Sequence, residues 1–170
     1  ETYYIPHVFQ TAQPNEIAIA ISNRHQNKRE IIKINTKNYS TNKILTETDA
    51  AWIETDNLSL EFLEDNSFLW ASERDGFRHF YWYTPDGKLK KQITKGNWEI
   101  TDYYGFSPKN SEILVQTTEK GSNNRVVSKI NIKTGKKQII SEFNGTTNAD
   151  FSKSFQYFIK THSSAEQTTT

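Results

Sequence analysis

Short apolar runs separated by polar turns set the rhythm of this chain. The clearest stretch, Phe68 to Thr94, reads FLWASERDGFRHFYWYTPDGKLKKQIT. Asp75-Gly76 and Asp86-Gly87 cut it into three runs. Asp-Gly between apolar runs is a strong hairpin signal, because the turn needs a positive φ that glycine adopts without steric cost. The first run, Phe68–Ser72, is apolar on both faces. The second places Phe77, Tyr81 and Tyr83 on one side and Phe80 and Trp82 on the other. Strands of this kind pack between two other layers. The third run, Lys88 to Thr94, is lysine-rich, as an edge strand must be to discourage further pairing. The pattern predicts an antiparallel meander with buried inner strands and a charged outer edge, a propeller blade rather than a sandwich hairpin.

The same pattern runs along the rest of the chain. Tyr3-Tyr4-Ile5 before Pro6 reads as a strand left from an earlier unit. Ile17–Ile21 reads as a buried strand, Asn23–Lys28 as a polar turn, and Glu30–Asn35 and Asn42–Leu45 as two further strands. Thr46–Asn57, with Glu47, Asp49, Glu54 and Asp56 around Trp52, breaks the rhythm and reads as a connection. Leu58, Leu60 and Phe62 alternate with polar residues as a half-buried strand does. Later strands are predicted near Glu99–Phe106, Glu112–Thr118, Arg125–Ile132, Lys136–Ile140, Ala149–Phe151 and Phe155–Thr161. No helix is predicted. Lys90-Lys91-Gln92-Ile93 recurs 46 residues later as Lys136-Lys137-Gln138-Ile139, and Ser22 and Ser72 stand 50 apart. Periods of about 40–50 residues with four strands each mark a propeller. The fold expected is all-β, a partial β-propeller: an arc of about three to four antiparallel four-stranded blades, with units at about 1–46, 58–94, 98–141 and 145–163.

Composition narrows the function classes. Hydrophobic residues make up 34% and mean hydropathy is −0.79, low for a globular chain, but aromatics at 13% add burial area. The net charge of +1 comes with no basic patch, so no nucleic-acid partner is expected. Without cysteine there is no disulfide, thiolate nucleophile or Cys-ligated metal. No run approaches the ~18 apolar residues of a membrane helix.

Candidate chemistry is sparse. Gly105-Phe106-Ser107-Pro108-Lys109 lacks the second glycine of a nucleophile elbow and sits at a strand end. No phosphate-binding or dinucleotide-binding glycine motif and no zinc motif is present, so no cofactor is expected. His7, His25, His79 and His162 lie far apart in sequence, and no metal site is expected from them; His79, inside an aromatic strand, reads as a packed, hydrogen-bonded histidine. Glu61, Glu64 and Asp65 could form an acid pair, yet Glu64-Asp65-Asn66 is better suited to a hairpin turn. Sequons at Asn38, Asn57 and Asn144 bear on the protein only if it is secreted by a eukaryotic cell.

ASERDGFRHFYWY followed by QITKGNWEITDYYGF resembles the late blades of the dipeptidyl peptidase IV family, prolyl-oligopeptidase-like serine peptidases, and its bacterial members in particular. The resemblance extends over YIPHVF, NRHQNKREIIKIN, TETDAAWIE, TTEKGSNNRVVSKINI and the final SSA, and so covers nearly the whole chain in order. It implies an N-terminal propeller joined to a C-terminal α/β-hydrolase domain that carries the Ser, Asp and His triad. Neither the triad nor the family's paired amine-binding glutamates match a position here, so no catalytic residue is expected in this chain. In some members the loop after a tryptophan like Trp52 reaches the substrate with an aromatic and an arginine. Here that loop reads Ile53-Glu54-Thr55-Asp56-Asn57, and only Glu54 and Asp56 stand as substrate-binding candidates.

The resemblance implies that the propeller gates and walls an active-site cavity for cleavage of N-terminal dipeptides, while the hydrolase domain performs acyl transfer. The expected partners are the remainder of the propeller, the hydrolase domain and the peptide substrate. The parent protein is expected in the periplasm, at the cell surface or secreted. The alternative from another class is a non-enzymatic TolB-like propeller that binds proteins or glycans. An arc without neighbours at its ends would expose apolar blade faces at Ile17–Ile21 and Phe155–Ile159, and self-association through them is expected.

Overall fold

The computed structural model describes residues 3–54 and 59–166. It contains strands and turns, with no helix among the described residues. The first sheet has the order β1 (Tyr3–Gln10), β2 (Glu16–Asn23), β3 (Lys28–Asn35), β4 (Thr41–Thr48). The second runs β5 (Leu60–Phe62), β6 (Phe68–Ser72), β7 (His79–Tyr83), β8 (Leu89–Gln92). The third is formed by β9 (Ile100–Ser107), β10 (Glu112–Thr117), β11 (Val126–Asn131) and β12 (Lys137–Ile139), and the fourth by β13 (Thr146–Phe151) and β14 (Phe158–Ser163) alone. Each sheet is a simple antiparallel meander, the topology of a blade. The chain divides into two compact units, Glu1–Ala71 with Tyr81–Lys91, and Ser72–Phe80 with Gln92–Thr170.

Three local expectations change. Tyr3-Tyr4-Ile5 is not left over from another unit: β1 continues through Pro6 to Gln10 and pairs with β2, so the first sheet is complete. Proline is tolerated because β1 is an edge strand, and the register shifts between Tyr4 and His7. Phe77 lies outside β7 and is exposed. Phe155 is in a turn at φ +55°, and its strand starts only at Phe158.

The inner strands carry out the burial that their two-faced patterns predict. All five residues of β6 are buried, and β8 is exposed to half-buried. In the first unit, the β2–β3 register sets Ala18 opposite Lys33 and Ala20 opposite Ile31 on the buried face. Alanine leaves room there for large rings, and Phe68, Trp70, Tyr81 and Tyr83 join Ile31, Ile44 and Leu60 in one core cluster. Phe68 stacks on Tyr83 at 5.0 Å and meets Phe62 at 5.6 Å. Lys33, only 4% exposed, reaches the Glu16 carboxylate at 3.3 Å and lies over the Phe62 ring. A buried ammonium needs such a partner, since desolvation would otherwise neutralise it. In the second unit, Ile100, Ile113, Val115, Val126 and Ile130 are sealed, and Phe80 packs on Tyr103 at 4.9 Å.

The turns follow the glycine and Asx signals. Thr84–Lys88 closes with Thr84 N–H donating to the Lys88 carbonyl, and Gly87 takes φ +86°. Gly76 takes φ +85° in the β6–β7 turn. Glu64-Asp65-Asn66 forms the β5–β6 turn, with Asn66 at φ +61°. The Ser67 hydroxyl and amide hold the Asp65 carboxyl below its ordinary range. Asn35 and Asn131 play matching parts, each side-chain oxygen accepting two backbone N–H groups of the turn that follows. At Gly105, a Cβ would stand 2.6 Å from the Phe155 ring, which occupies that space.

The two Asp-Gly turns differ in what surrounds the glycine. Open space faces Gly76, whereas a Cβ on Gly87 would overlap the Ile44 backbone carbonyl. Gly76→Ala should therefore cost about 1 kcal/mol, the strain of a side chain in the left-handed region. Gly87→Ala should cost about 3 kcal/mol or more, because strain and displaced backbone add. Urea unfolding of the two variants compares them directly. Tyr104 on β9 has its phenol pushed up to about 12, by burial first and then by Asp102. A raised folded-state value favours the protonated form, so this contribution is intact below pH ~10 and lost as pH rises towards 12. Stability measured across that window should fall less steeply in Tyr104→Phe than in the parent sequence.

Candidate functional site

The sequence candidates lie in the connection after β4, and the first unit shows what holds it. The β2–β3 turn supplies a rigid seat. Asn23 Oδ1 accepts the N–H groups of Asn27 and Lys28, both at 3.1 Å, and Asn23 Nδ2 donates to Asn27 Oδ1. Gln26, at the tip, adopts φ +54° and turns its carbonyl and side chain towards the connection. Ile53 N–H donates to the Gln26 carbonyl at 2.7 Å, and the Trp52 indole N–H donates to the Gln26 side-chain oxygen. Asp49 N–H donates to the Asn27 carbonyl, and the Asp49 carboxylate accepts from Ala51 N–H. The Trp52 ring is nevertheless 51% exposed, so these bonds orient an aromatic surface towards solvent.

Beneath the loop lies Arg29, 3% exposed. Alternation along β3 puts it on the same buried face as Ile31 and Lys33. Its guanidinium donates to the Glu54 backbone carbonyl at 2.7 Å and to Ser22 Oγ at 3.4 Å. Burial lowers its pKa from the ordinary value, and the charges of Glu47 and Glu54 oppose that shift. Glu47, paired with Arg29 across β3 and β4, also accepts the Trp70 indole N–H at 3.2 Å. Arg29 thus fastens the loop to the strand and core beneath it. Glu54 contributes its carbonyl to that tie, and Asp56 lies outside the described residues.

Sequence reading picked the loop but missed its anchors, Gln26 and Arg29. The available signal for Arg29 was its phase with Ile31 and Lys33 in a strand apolar at alternate positions. Gln26 at positive φ leaves no comparable mark, being neither glycine nor asparagine.

The other candidates resolve into structural parts. His79 is 1% exposed; its Nδ1 meets Thr94 Oγ1 and its Nε2 the Gly96 carbonyl, each at 3.0 Å, with Trp98 edge-on at 5.0 Å. His162 Nδ1 meets Thr147 Oγ1 at 2.9 Å. His7 stacks on Phe9. No three His, Asp or Glu side chains converge on a metal position among the described residues. Ser107 is buried at the end of β9, opposite Glu112, in a hairpin rather than at a strand-to-helix elbow. Of the sequon asparagines, Asn38 and Asn144 are exposed and Asn57 lies outside the described residues.

Comparison with known proteins places this geometry. The family model "Dipeptidyl peptidase IV (DPP IV) N-terminal region" matches residues 1–169. The dipeptidyl peptidase 4 proteins of Trichophyton equinum and Trichophyton tonsurans are each 26% identical over 126 residues, 71% of this chain and 16% of theirs. The crystal structure of Porphyromonas gingivalis dipeptidyl peptidase 4 superposes with a TM-score of 0.90 at 32% identity, covering 98% of this chain and 24% of that one. A structure from Bacteroides ovatus, described as a dipeptidyl aminopeptidase IV, shares the fold with a TM-score of 0.79 at 22% identity, over 95% of this chain and 26% of its own. The chain therefore spans about a sixth of the curated relatives and about a quarter of the solved chains. Its meander sheets are those of a partial β-propeller, and the chain belongs to the family of dipeptidyl peptidase IV N-terminal regions.

Proposed function

We propose that this chain is the part of a dipeptidyl peptidase IV-type serine peptidase that walls and gates the cavity where N-terminal dipeptides are cleaved. The observation that carries the reading is the superposition on the Porphyromonas gingivalis dipeptidyl peptidase 4, over 98% of the chain at a TM-score of 0.90. Acyl transfer needs a nucleophile, a base, an orienting acid and oxyanion donors. Both ring nitrogens of His79 are occupied, and Ser107 closes a hairpin. The chemistry is therefore assigned to an α/β-hydrolase domain elsewhere in the full-length polypeptide, together with the rest of the propeller.

In this reading the loop held by Arg29 faces the cavity. Glu54 adds negative charge near the path of a peptide whose free terminal ammonium is positive, and Asp56, outside the described residues, stays a candidate from the sequence alone. The same reading assigns the full-length protein to the periplasm, the cell surface or the secreted fraction, which cell fractionation checks.

The full-length protein should release dipeptides from Xaa-Pro chromogenic substrates and be inactivated by a serine-directed reagent, whereas the 170-residue chain should show no turnover. A full-length protein without this activity that instead captures proteins or glycans would replace the reading with that of a TolB-like binding module. A second expectation concerns Arg29. In the full-length enzyme, Arg29→Met should raise KM about 3–10-fold and leave kcat within about twofold, the pattern of lost uniform binding. Steady-state kinetics on a dipeptide substrate measure both, and an unchanged KM would separate the Arg29 tie from substrate handling.

A further inference from the structure

Lys33, Glu16 and Asn66 meet in the first unit at one atom. Lys33 Nζ lies 3.3 Å from Glu16 Oε1, and Asn66 Nδ2 donates to the same oxygen at 3.1 Å. The three come from different parts of the fold. Glu16 opens β2, and Lys33 stands diagonally across from it on β3, since the register pairs Lys33 with Ala18. Asn66 belongs to the β5–β6 turn, where its backbone N–H donates to the Leu63 carbonyl and its φ is +61°. Phe62 covers one side, with Lys33 Nζ 5.1 Å from its ring centre. The Lys33 side chain is only 5% exposed.

Packing does not account for two features of this group. The first is Asn66 Oδ1, a buried oxygen with no hydrogen-bond partner among the described residues. Buried acceptors are normally satisfied, and one that is not needs a reason. The second is the lysine itself, whose amine is held one oxygen atom away from a carboxamide. A protonated amine is no nucleophile, but the acceptor for its proton is already in contact. Transfer of that proton to Glu16 turns a sealed ion pair into two neutral groups. The protonated carboxyl is then a donor, and a half-turn of the Asn66 amide sets the orphaned Oδ1 against it, since the oxygen and nitrogen of an amide occupy nearly the same space. Each movement satisfies the group that the one before left unpaired.

We propose that Lys33 and Asn66 condense into an amide, a covalent link between β3 and the β5–β6 turn. Lys33 Nζ, relieved of a proton by Glu16, attacks Asn66 Cγ, which the Glu16 hydroxyl polarises through Oδ1. A bond forms between Nζ and Cγ, and the bond from Cγ to Nδ2 breaks. Starting as an ammonium, Nζ gives up two protons; Glu16 relays both to Nδ2, which departs as an ammonium ion, and the carboxylate ends as it began. No oxidant, reductant or cofactor enters. The link draws only on residues of this chain and goes beyond the peptidase reading. It joins positions far apart in sequence and so limits how far the unfolded chain opens. The second unit supplies a comparison. Glu112 and Lys129 recur at the spacing of Glu16 and Lys33. The β13–β14 turn repeats the same bond, from Phe155 N–H to the Ser152 carbonyl, but its positive-φ residue is a phenylalanine, which has no amide to offer Lys129.

Mass spectrometry of the full-length protein, purified folded and then digested with trypsin, tests the link. The peptides Glu30–Lys37 and Ile44–Arg74 should be found joined, one ammonia lighter than the two together, with Lys33 uncut and Lys129 cut. Asn66→Gly keeps the turn, because glycine accepts the positive φ, and removes the amide; it should restore cleavage after Lys33 and release both peptides. Glu16→Gln keeps the size of the side chain and removes the proton relay, and it should leave the peptides separate as well. If Glu16→Gln fails to fold, the contrast between the parent sequence and Asn66→Gly decides alone. The proposal is overturned if the folded parent protein is cut after Lys33 and gives both peptides at full mass, if a folded Glu16→Gln variant is linked as completely as the parent, or if ammonia is lost only at Asn144-Gly145, by the ordinary cyclisation of an exposed Asn-Gly pair. Peptidase activity is read separately. A linked protein without it loses the functional reading and keeps the link; an active enzyme with a free Lys33 loses the link alone.

Discussion

A strand that is apolar on both faces cannot be stable as part of a single sheet, and the rest of this structure depends on that constraint. Phe68, Leu69, Trp70 and Ala71 project alternately to the two sides of β6 and are all buried. In the first unit Phe68 finds its cover in the flat stack with Tyr83 and in the space left by Ala18 and Ala20. Burying a side chain of this size is worth about 1.5–3 kcal/mol, so a chain of low mean hydropathy can be held by a few well-placed rings. The charged groups are subordinate to the same packing. Lys33 enters the core only because Glu16 and the Phe62 face receive it.

That division between inner and outer strands also decides where variation is tolerated. β8 and β12 are short and lysine-bearing, and what they add to the sheet is mainly main-chain pairing. The ends of the strands are held differently, by side chains that grip backbone. The amides of Phe80 and Val127 donate to the hydroxyls of Thr94 and Ser141, closing the outer edges of the second and third sheets in the same way. Arg29 holding the Glu54 carbonyl is the first unit's counterpart at a connection rather than at a strand. The connection is held by Gln26 and Asn27 as well as by Arg29, and Trp52 is still about half exposed.

Most of the fold was legible because its signals are local. Two-faced apolar runs and Asp-Gly pairs report on neighbours within one meander, and the recurrence of Lys-Lys-Gln-Ile reports that the meander repeats. What was not legible depended on residues distant in sequence. Pro6 looked like a strand terminator, yet an edge strand needs no N–H there and β1 continues through it. Phe155 looked like the start of a strand by hydrophobicity, and only the space above Gly105 explains why it turns instead. At the site, Trp52 and its acidic neighbours stood out as a break in the rhythm. Their anchors did not, because Arg29 reads locally as a polar residue near a turn and Gln26 belongs to no turn signature.

Gly105 and Phe155 have a consequence for how this chain can change over generations. The ring fills the volume that any β-carbon at Gly105 would need, and its own backbone is in a conformation that large residues seldom adopt. The corresponding places in the first unit are taken by Phe9 and Asn66: a large residue on the strand and a small, turn-compatible one in the loop. Each pair works, but a side chain on the strand together with a phenylalanine in the loop does not, since the two would compete for one space. A descendant that moves from one arrangement to the other must give up the loop phenylalanine before it gains a side chain on the strand, so the order of the two substitutions is set by the geometry.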